Sequence, residues 1–233
     1  MIRTVAQTGS TNADMIALAT SGAPEGTWLR AEQQSSGRGR MGRGWQSPPG
    51  NLYASTIVRL QPSDPAAPTL ALVAAVALFE TVRAYAPDVT VVIKWPNDLL
   101  IGGAKLAGIL LERAGDAVVV GIGVNLAHHP DGLDRPVTNL AAQGYHIDPA
   151  AFCEDLAACF ARWIARWRGE GLAPVRAAWL SAAHAPGTAL VANLGDGDGV
   201  EGLFDGLTAD GALRLRLADG TVRVIHAGDV FLI

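Results

Sequence analysis

Arg38, Arg40 and Arg43 fall within the octamer GRGRMGRG (37–44), and Gly37, Gly39 and Gly42 give that octamer the spacing G-x-G-x-x-G. A dinucleotide turn with this spacing needs a strand before the glycines and a helix opening after them, so that the helix N-terminus meets the pyrophosphate. TWLRAEQ (27–33) can supply the strand, but WQSPPGNLYAS follows, and Pro48, Pro49 and Gly50 forbid a helix start there. Three fixed cations also stand where such a turn uses bare backbone. The octamer therefore reads as a mobile basic loop that closes over an anionic ligand; from these residues alone, an RG-rich tail or a solvated turn fits as well. A second oddity lies further on. Of 18 basic side chains only Lys94 and Lys105 are lysine. Either a rare residue has clustered by chance, or this place needs a compact point charge on a flexible stem where a planar guanidinium will not do.

The bulk numbers narrow the function classes. A chain of 233 residues that is 49% hydrophobic can bury a sizeable core. Its net charge of -4 gives no global field for DNA, RNA or an anionic membrane. No unbroken apolar run is long enough for a membrane helix, and MIRTVAQTG (1–9) lacks a signal-peptide core, so a cytoplasmic protein is expected. Cys153 and Cys159 fall on different faces of one helix and are expected as buried thiols; the five histidines show no zinc-ligand spacing.

The elements that must position these residues follow from periodicity and punctuation. Ser10 and Thr11 cap a helix over ADMIALA. Strands are expected at 27–33, 51–60, 89–94, through Ile101, 106–113 and 117–124, with a tight hairpin at Gly102-Gly103. LALVAAVALFETVRAY (70–85) reads as a buried helix, and helices are expected at 148–168 and 174–183, with Trp163, Trp167 and Trp179 as core. Composition shifts at Pro186. Beyond it, Asp-Gly pairs at 196, 198, 205, 210 and 219 separate short alternating runs, which predicts a small β-barrel.

Four motifs stand in order: STN (10–12), EQQSSGRGRMGRGW (32–45), KWPNDLL (94–100) with KLAGIL (105–110), and GIGVNL (121–126). STN and KLAGIL are weak signals alone, whereas GRGRxGRxW followed by KWPND is specific. In this set the chain resembles the biotin protein ligases, also called biotin-[acetyl-CoA-carboxylase] ligases, from residue 10 to the C-terminal barrel. The resemblance implies an α+β fold. A catalytic domain like that of class II aminoacyl-tRNA synthetases would occupy 1–185, and an SH3-like barrel 186–233. With nine residues before STN, the chain is expected to be the single-function type, without a DNA-binding module or repressor role.

It also implies a reaction. Biotin and MgATP give biotinyl-5′-AMP and pyrophosphate, and a lysine of a biotin carboxyl carrier protein then attacks the mixed anhydride. No DNA or membrane partner is expected, and a homodimer is possible. By motif match Ser10, Thr11 and Gln34 would meet the ureido head, with Asn12, Gly39 and Gly108 also at biotin; Gly108 could instead serve a crowded strand pair. Arg38 and Arg40 would hold biotin's carboxyl, the adenylate and pyrophosphate, helped by Arg43, while Lys105 would touch the biotin carboxyl and the phosphoryl oxygen. Trp45, Asn97 and Asn125 are expected near the adenylate; Trp45 could instead anchor the loop's far end, and Asn125 could cap a turn. Lys94 would tie the strand end that presents Pro96, Asn97 and Asp98. Asp98 is the candidate to take or orient the attacking amine's proton, unless it holds magnesium or braces the strand. Lipoate-protein ligase chemistry and a non-catalytic biotin- or carrier-binding protein are the rival readings.

Overall fold

Alternation builds the scaffold, and a computed structural model describes it over residues 1–133, 135–194 and 199–233. β1 (Ile2–Thr8) lies parallel to β2 (Trp28–Gln34), joined by α1 (Thr11–Thr20), whose N-cap Ser10 accepts from the Ala13 N–H. The remaining strands pair antiparallel: β3 (Leu52–Arg59), β4 (Val91–Lys94), β5 (Asp98–Ile101), β6 (Ala104–Ala114) and β7 (Ala117–Val124). The sheet order is β1-β2-β3-β7-β6-β5-β4. The turn between β5 and β6 is made by Gly102 and Gly103, both at positive φ (55° and 81°), as a two-residue hairpin requires.

The two faces of this sheet differ. Ala54, Val58, Val118, Val120, Ile122 and Val124 pack under α2 (Leu70–Tyr85), α3 (Pro149–Glu170) and α4 (Leu172–Ser181) in the main core. Their strand neighbours Ile57, Val119 and Ala117 face α1 in a smaller cluster with Met15 and Leu29. A period of 2 puts successive side chains on opposite faces, so one face is closed by three helices while α1 covers only part of the other. The stretch Ala67–Tyr85 is long and apolar enough to cross a bilayer, yet Leu70, Val73, Ala74, Ala77 and Leu78 are buried in the core. Trp163, Trp167 and Trp179 are core residues, and both cysteines are buried free thiols; burial pushes Cys153 up to about 12 and Cys159 to about 11.

The second sheet is antiparallel, in the order β11-β10-β9-β8-β12, built from β8 (Ala189–Asn193), β9 (Gly199–Leu207), β10 (Leu213–Arg216), β11 (Val222–Ile225) and β12 (Asp229–Leu232). The expected Asp-Gly turns at 210 and 219 lie between strands. The pair at 205 does not: Gly206, at φ 93°, sits inside β9 where the register to β10 shifts, so this glycine serves a bulge. The pair at 196 and the aspartate of the pair at 198 lie outside the described residues, and Gly199 opens β9. β1 was not foreseen, because IRTVAQT mixes its polar and apolar residues without a clean alternation.

Candidate active site

Where α1 ends its cover, β3, β7 and β6 expose a trough. Their register places Tyr53, Gly123 and Gly108 in one row and Ser55, Gly121 and Leu110 in the next. Close approach explains the glycines. A Cβ on Gly121 would stand 2.1 Å from Asn12 Oδ1, and one on Gly123 would stand 2.7 Å from the Trp45 ring. Gly108 likewise leaves room for Lys105 Nζ and Trp45, at 3.1 and 3.2 Å.

The start of α1 and the end of β2 form one end of the cavity. Gln34 Oε1 accepts from the Thr11 N–H (2.8 Å) and the Thr11 hydroxyl (3.1 Å), while Gln34 Nε2 donates to Ser47 Oγ (3.0 Å). The buried Ser55 hydroxyl donates to Asn12 Oδ1 (2.6 Å), and Asn12 Nδ2 donates to Glu112 Oε2 (2.7 Å). Both ends of the Asn12 amide are thus held by protein.

The arginine octamer is a pinched hairpin. Trp45 N–H donates to Gly37 O (2.9 Å) and Gly39 N–H to Arg43 O (2.7 Å), around a 3-10 turn over Arg40–Gly42. Gly37 is needed here because a Cβ would lie 2.3 Å from Trp45 O. Each arginine faces an anion: Arg38 meets Glu112 (3.3 Å), Arg40 meets Asp229 (3.3 Å) and Arg43 meets Asp229 (2.7 Å). Arg40 also donates to Asn97 Oδ1 (3.3 Å) and to Gly228 O (3.2 Å). Trp45 returns into the trough, its ring 5.5 Å from Lys105 Nζ and its indole N–H buried without a partner among the described residues.

Opposite lies a buried cluster of two ammonium groups on one carboxylate. Asp98 Oδ1 accepts from Lys105 Nζ (2.5 Å), and Oδ2 stands 3.2 Å from Lys94 Nζ. Burial alone would raise the Asp98 carboxyl, but Lys105 and Lys94 outweigh it and hold it below the usual aspartate value. Such a carboxylate is a weak base, which argues against Asp98 as the group that takes an incoming amine's proton and for its bracing Lys105. Burial lowers the Lys105 pKa; Asp98 opposes this, while Arg135 and Lys94 add to it. Lys94 also donates to Val230 O (2.9 Å), fixing the strand end to β12.

Ser10, Thr11, Asn12, Gln34, Arg38, Gly39, Arg40, Arg43, Trp45, Asn97, Asp98, Lys105 and Gly108 all line this one cavity. Asn125 does not: it is buried, and its amide donates to Thr138 O (3.0 Å), bracing the segment that runs along Lys105. Asn97 turns its amide toward β6, donating to Ile109 O (2.6 Å). Sequence reasoning missed Arg135, Glu112 and Asp229. Glu112 carried a signal, since it follows Gly108 and Leu110 at period 2 on one strand. Asp229 carried none, being far away in sequence. As for magnesium, no group of three candidate ligands occurs among the described residues, and the carboxylates of Asp98, Glu112 and Asp229 are already ion-paired or hydrogen-bonded. The described residues do not make a resident metal site.

A glycine-floored trough ringed by arginines and a buried lysine has the shape and charge to take an acid and a phosphate side by side. Residues 6–126 match the Biotin/lipoate A/B protein ligase family, and 191–233 match the biotin protein ligase C-terminal domain. The chain is 42% identical to a biotin-[acetyl-CoA-carboxylase] ligase of Paracoccus denitrificans, over 97% of this chain and 98% of that one. A biotin protein ligase from Aquifex aeolicus, solved with biotin and ATP, shares the fold at TM-score 0.89 and 23% identity, covering 100% and 99% of the two chains. One from Leishmania major, solved with biotinyl-5-AMP, is 26% identical with TM-score 0.71 over 97% and 98%. The chain belongs to the biotin/lipoate A/B protein ligase family, and its second sheet is the SH3-like C-terminal domain of biotin protein ligases.

Proposed function

We infer that this chain is a biotin-[acetyl-CoA-carboxylase] ligase. It joins biotin and ATP into biotinyl-5′-AMP and passes the acyl group to a lysine of the carboxylase's carrier protein. The observation that carries this reading is the convergence of Lys105, Arg38, Arg40 and the Thr11–Gln34 pair on one cavity. In the first step a biotin carboxylate oxygen attacks the α-phosphorus as the bond to the β-phosphate oxygen breaks, and pyrophosphate leaves. Two anions must meet, so positioned cations supply most of the stabilisation. Lys105, with a mobile point charge, suits the carboxylate and the phosphoryl oxygen that meet there, and Arg38 and Arg40, with forked donors, suit the remaining phosphate oxygens. Magnesium arrives with the nucleotide's phosphates.

In the second step a neutral carrier amine attacks the acyl carbon, the acyl–phosphate bond breaks, AMP leaves with the electron pair and solvent takes the proton. Thr11, Gln34 and Ser10 suit the ureido head, and the Trp45 indole N–H, without a partner among the described residues, suits an acceptor on the ligand. Asp98 and Lys94 hold Lys105 in place, Asn97 steadies Arg40, and Arg43 is tied to β12. We place the boundary between the catalytic domain and the barrel at Pro186, in the link from α4 to β8. The net charge of -4 and the two buried thiols support a cytoplasmic enzyme that binds neither DNA nor membrane, and the outer edge of β1 suits a carrier strand or a second copy of the chain.

Exchange of labelled pyrophosphate into ATP tests the reading. Biotin is expected to support exchange and lipoate is not, and a carrier domain is expected to gain one biotinyl group by mass. Exchange with lipoate alone would move the assignment to the family's other branch, and exchange with neither acid would end it.

A further inference from the structure

The two ends of the arginine hairpin are joined through the floor of the cavity. From Ser47 the path runs to Gln34, to Thr11, to Ser55 (2.8 Å from the Thr11 hydroxyl), to Asn12 and to Glu112, whose Oε2 also takes Arg38. Gln34, Thr11 and Asn12 fall in the motifs, Ser55 lies on β3 beside β2, and Ser47 follows the arginine hairpin by two residues, whereas Glu112 comes from β6 across the sheet. Glu112 alone holds one oxygen between a nearly buried amide and a half-exposed guanidinium. We propose that Glu112 is a positioning residue for biotin activation. It fixes the Asn12 amide under the ureido head and presents Arg38 to the reacting oxygens, so that the floor and the loop move as one unit. The proposal rests on the reading that this floor takes the ureido head.

Chemistry separates the two duties. Glu112→Gln keeps an acceptor for Asn12 but removes the charge that attracts Arg38; Glu112→Ala removes both. In pyrophosphate exchange, the Gln variant is expected to keep the parent's KM for biotin and lose about tenfold in kcat, the size of one lost hydrogen bond to a charged group. The Ala variant is expected to raise KM for biotin by about tenfold as well. Without any ligand, trypsin is expected to cut after Arg38 or Arg40 several times faster in both variants, with their thermal midpoints close to the parent's. Tryptic cutting at the parent's rate in both variants would overturn the proposal, as would equal changes of KM and kcat in the two. If the parent shows no biotin-dependent exchange, the assigned function fails; the ligand-free cleavage still judges whether Glu112 holds the loop.

Discussion

At the scale of the residue, the cavity's most unusual feature is an unequal charge balance: two ammonium groups, Lys105 buried and Lys94 partly so, share one buried carboxylate. Asp98 gains from both neighbours and stays ionised, whereas Lys105 has a partner that already serves Lys94, and burial lowers its pKa. The sign of the resulting pH dependence follows. Adenylation needs the ammonium form, so kcat/KM should fall as pH rises through the free enzyme's lowered Lys105 pKa, below the ordinary lysine value of about 10.4. Bound phosphates restore a favourable charge, so the same fall in kcat should come at higher pH. Lys105→Arg keeps a permanent cation, and although its larger head should slow the reaction, the alkaline fall in kcat/KM should vanish. Profiles of pyrophosphate exchange in both proteins check this; an unchanged alkaline fall in the arginine variant would remove Lys105 from the titration. The sequence showed the two lysines as a rarity, but only folding showed that one aspartate unites them.

At the scale of the element, β7 does more than bridge the sheet. Gly121 and Gly123 are spaced so that both open toward α1's face, one receiving Asn12 and the other the Trp45 ring. Gly123→Ala should favour the strand locally, yet its Cβ must displace the indole, and overpacking of this kind costs about 1–3 kcal/mol. The expected outcome is a raised KM for biotin and a shifted tryptophan emission. Trp45→Ala together with Gly123→Ala should be no worse than Trp45→Ala alone, since contacting sites are not additive. Full additivity in that double mutant would mean that the glycine acts elsewhere. The motif GIGVNL was legible in the sequence, but the weight was misplaced: Asn125 braces a segment beside Lys105, while the glycines shape the trough. Periodicity showed α2, α3 and the central strands, because burial on one face leaves a regular trace. It could not show β1, whose residues are largely exposed, nor the bulge at Gly206, because a turn and a bulge demand the same positive φ. Motif order revealed the cavity's lysines and arginines; of the anions that face the arginines, Glu112 had only the period-2 step from Gly108 and Leu110 to mark it, and Asp229 had no local mark.

At the scale of the molecule, the C-terminal sheet is joined to the body both through the core and at the site. Trp95 Nε1 donates to Gly211 O (3.2 Å), Arg176 donates to Leu207 O (3.1 Å), and Phe204 packs on Trp179 at 6.4 Å between ring centres. Buried residues of both parts form one cluster, so this sheet is not an appendage held by charge. Asp229 is a different kind of contact. Its side chain remains 20% exposed and serves as the anion for Arg40 and Arg43, which must face phosphates if they are to act in adenylation. Partly exposed ion pairs contribute about 0–1 kcal/mol each, and that much stability moves the melting point of a chain this size by only about 2–4 °C. Asp229→Asn should therefore unfold close to the parent's temperature, because the core contacts between the two sheets are untouched. Gly228 O still holds Arg40 through two hydrogen bonds, so its position survives while the competing charge is gone. The KM for ATP should then fall by about two- to fivefold, the conversion of such pair energies, and the gain should shrink as salt rises. Steady-state exchange at low and high ionic strength, with a melting curve for each protein, gives the answer. A KM for ATP that instead rises tenfold would make Asp229 a clasp that the arginines depend on, and a large loss of melting temperature would make it part of the joint between the sheets.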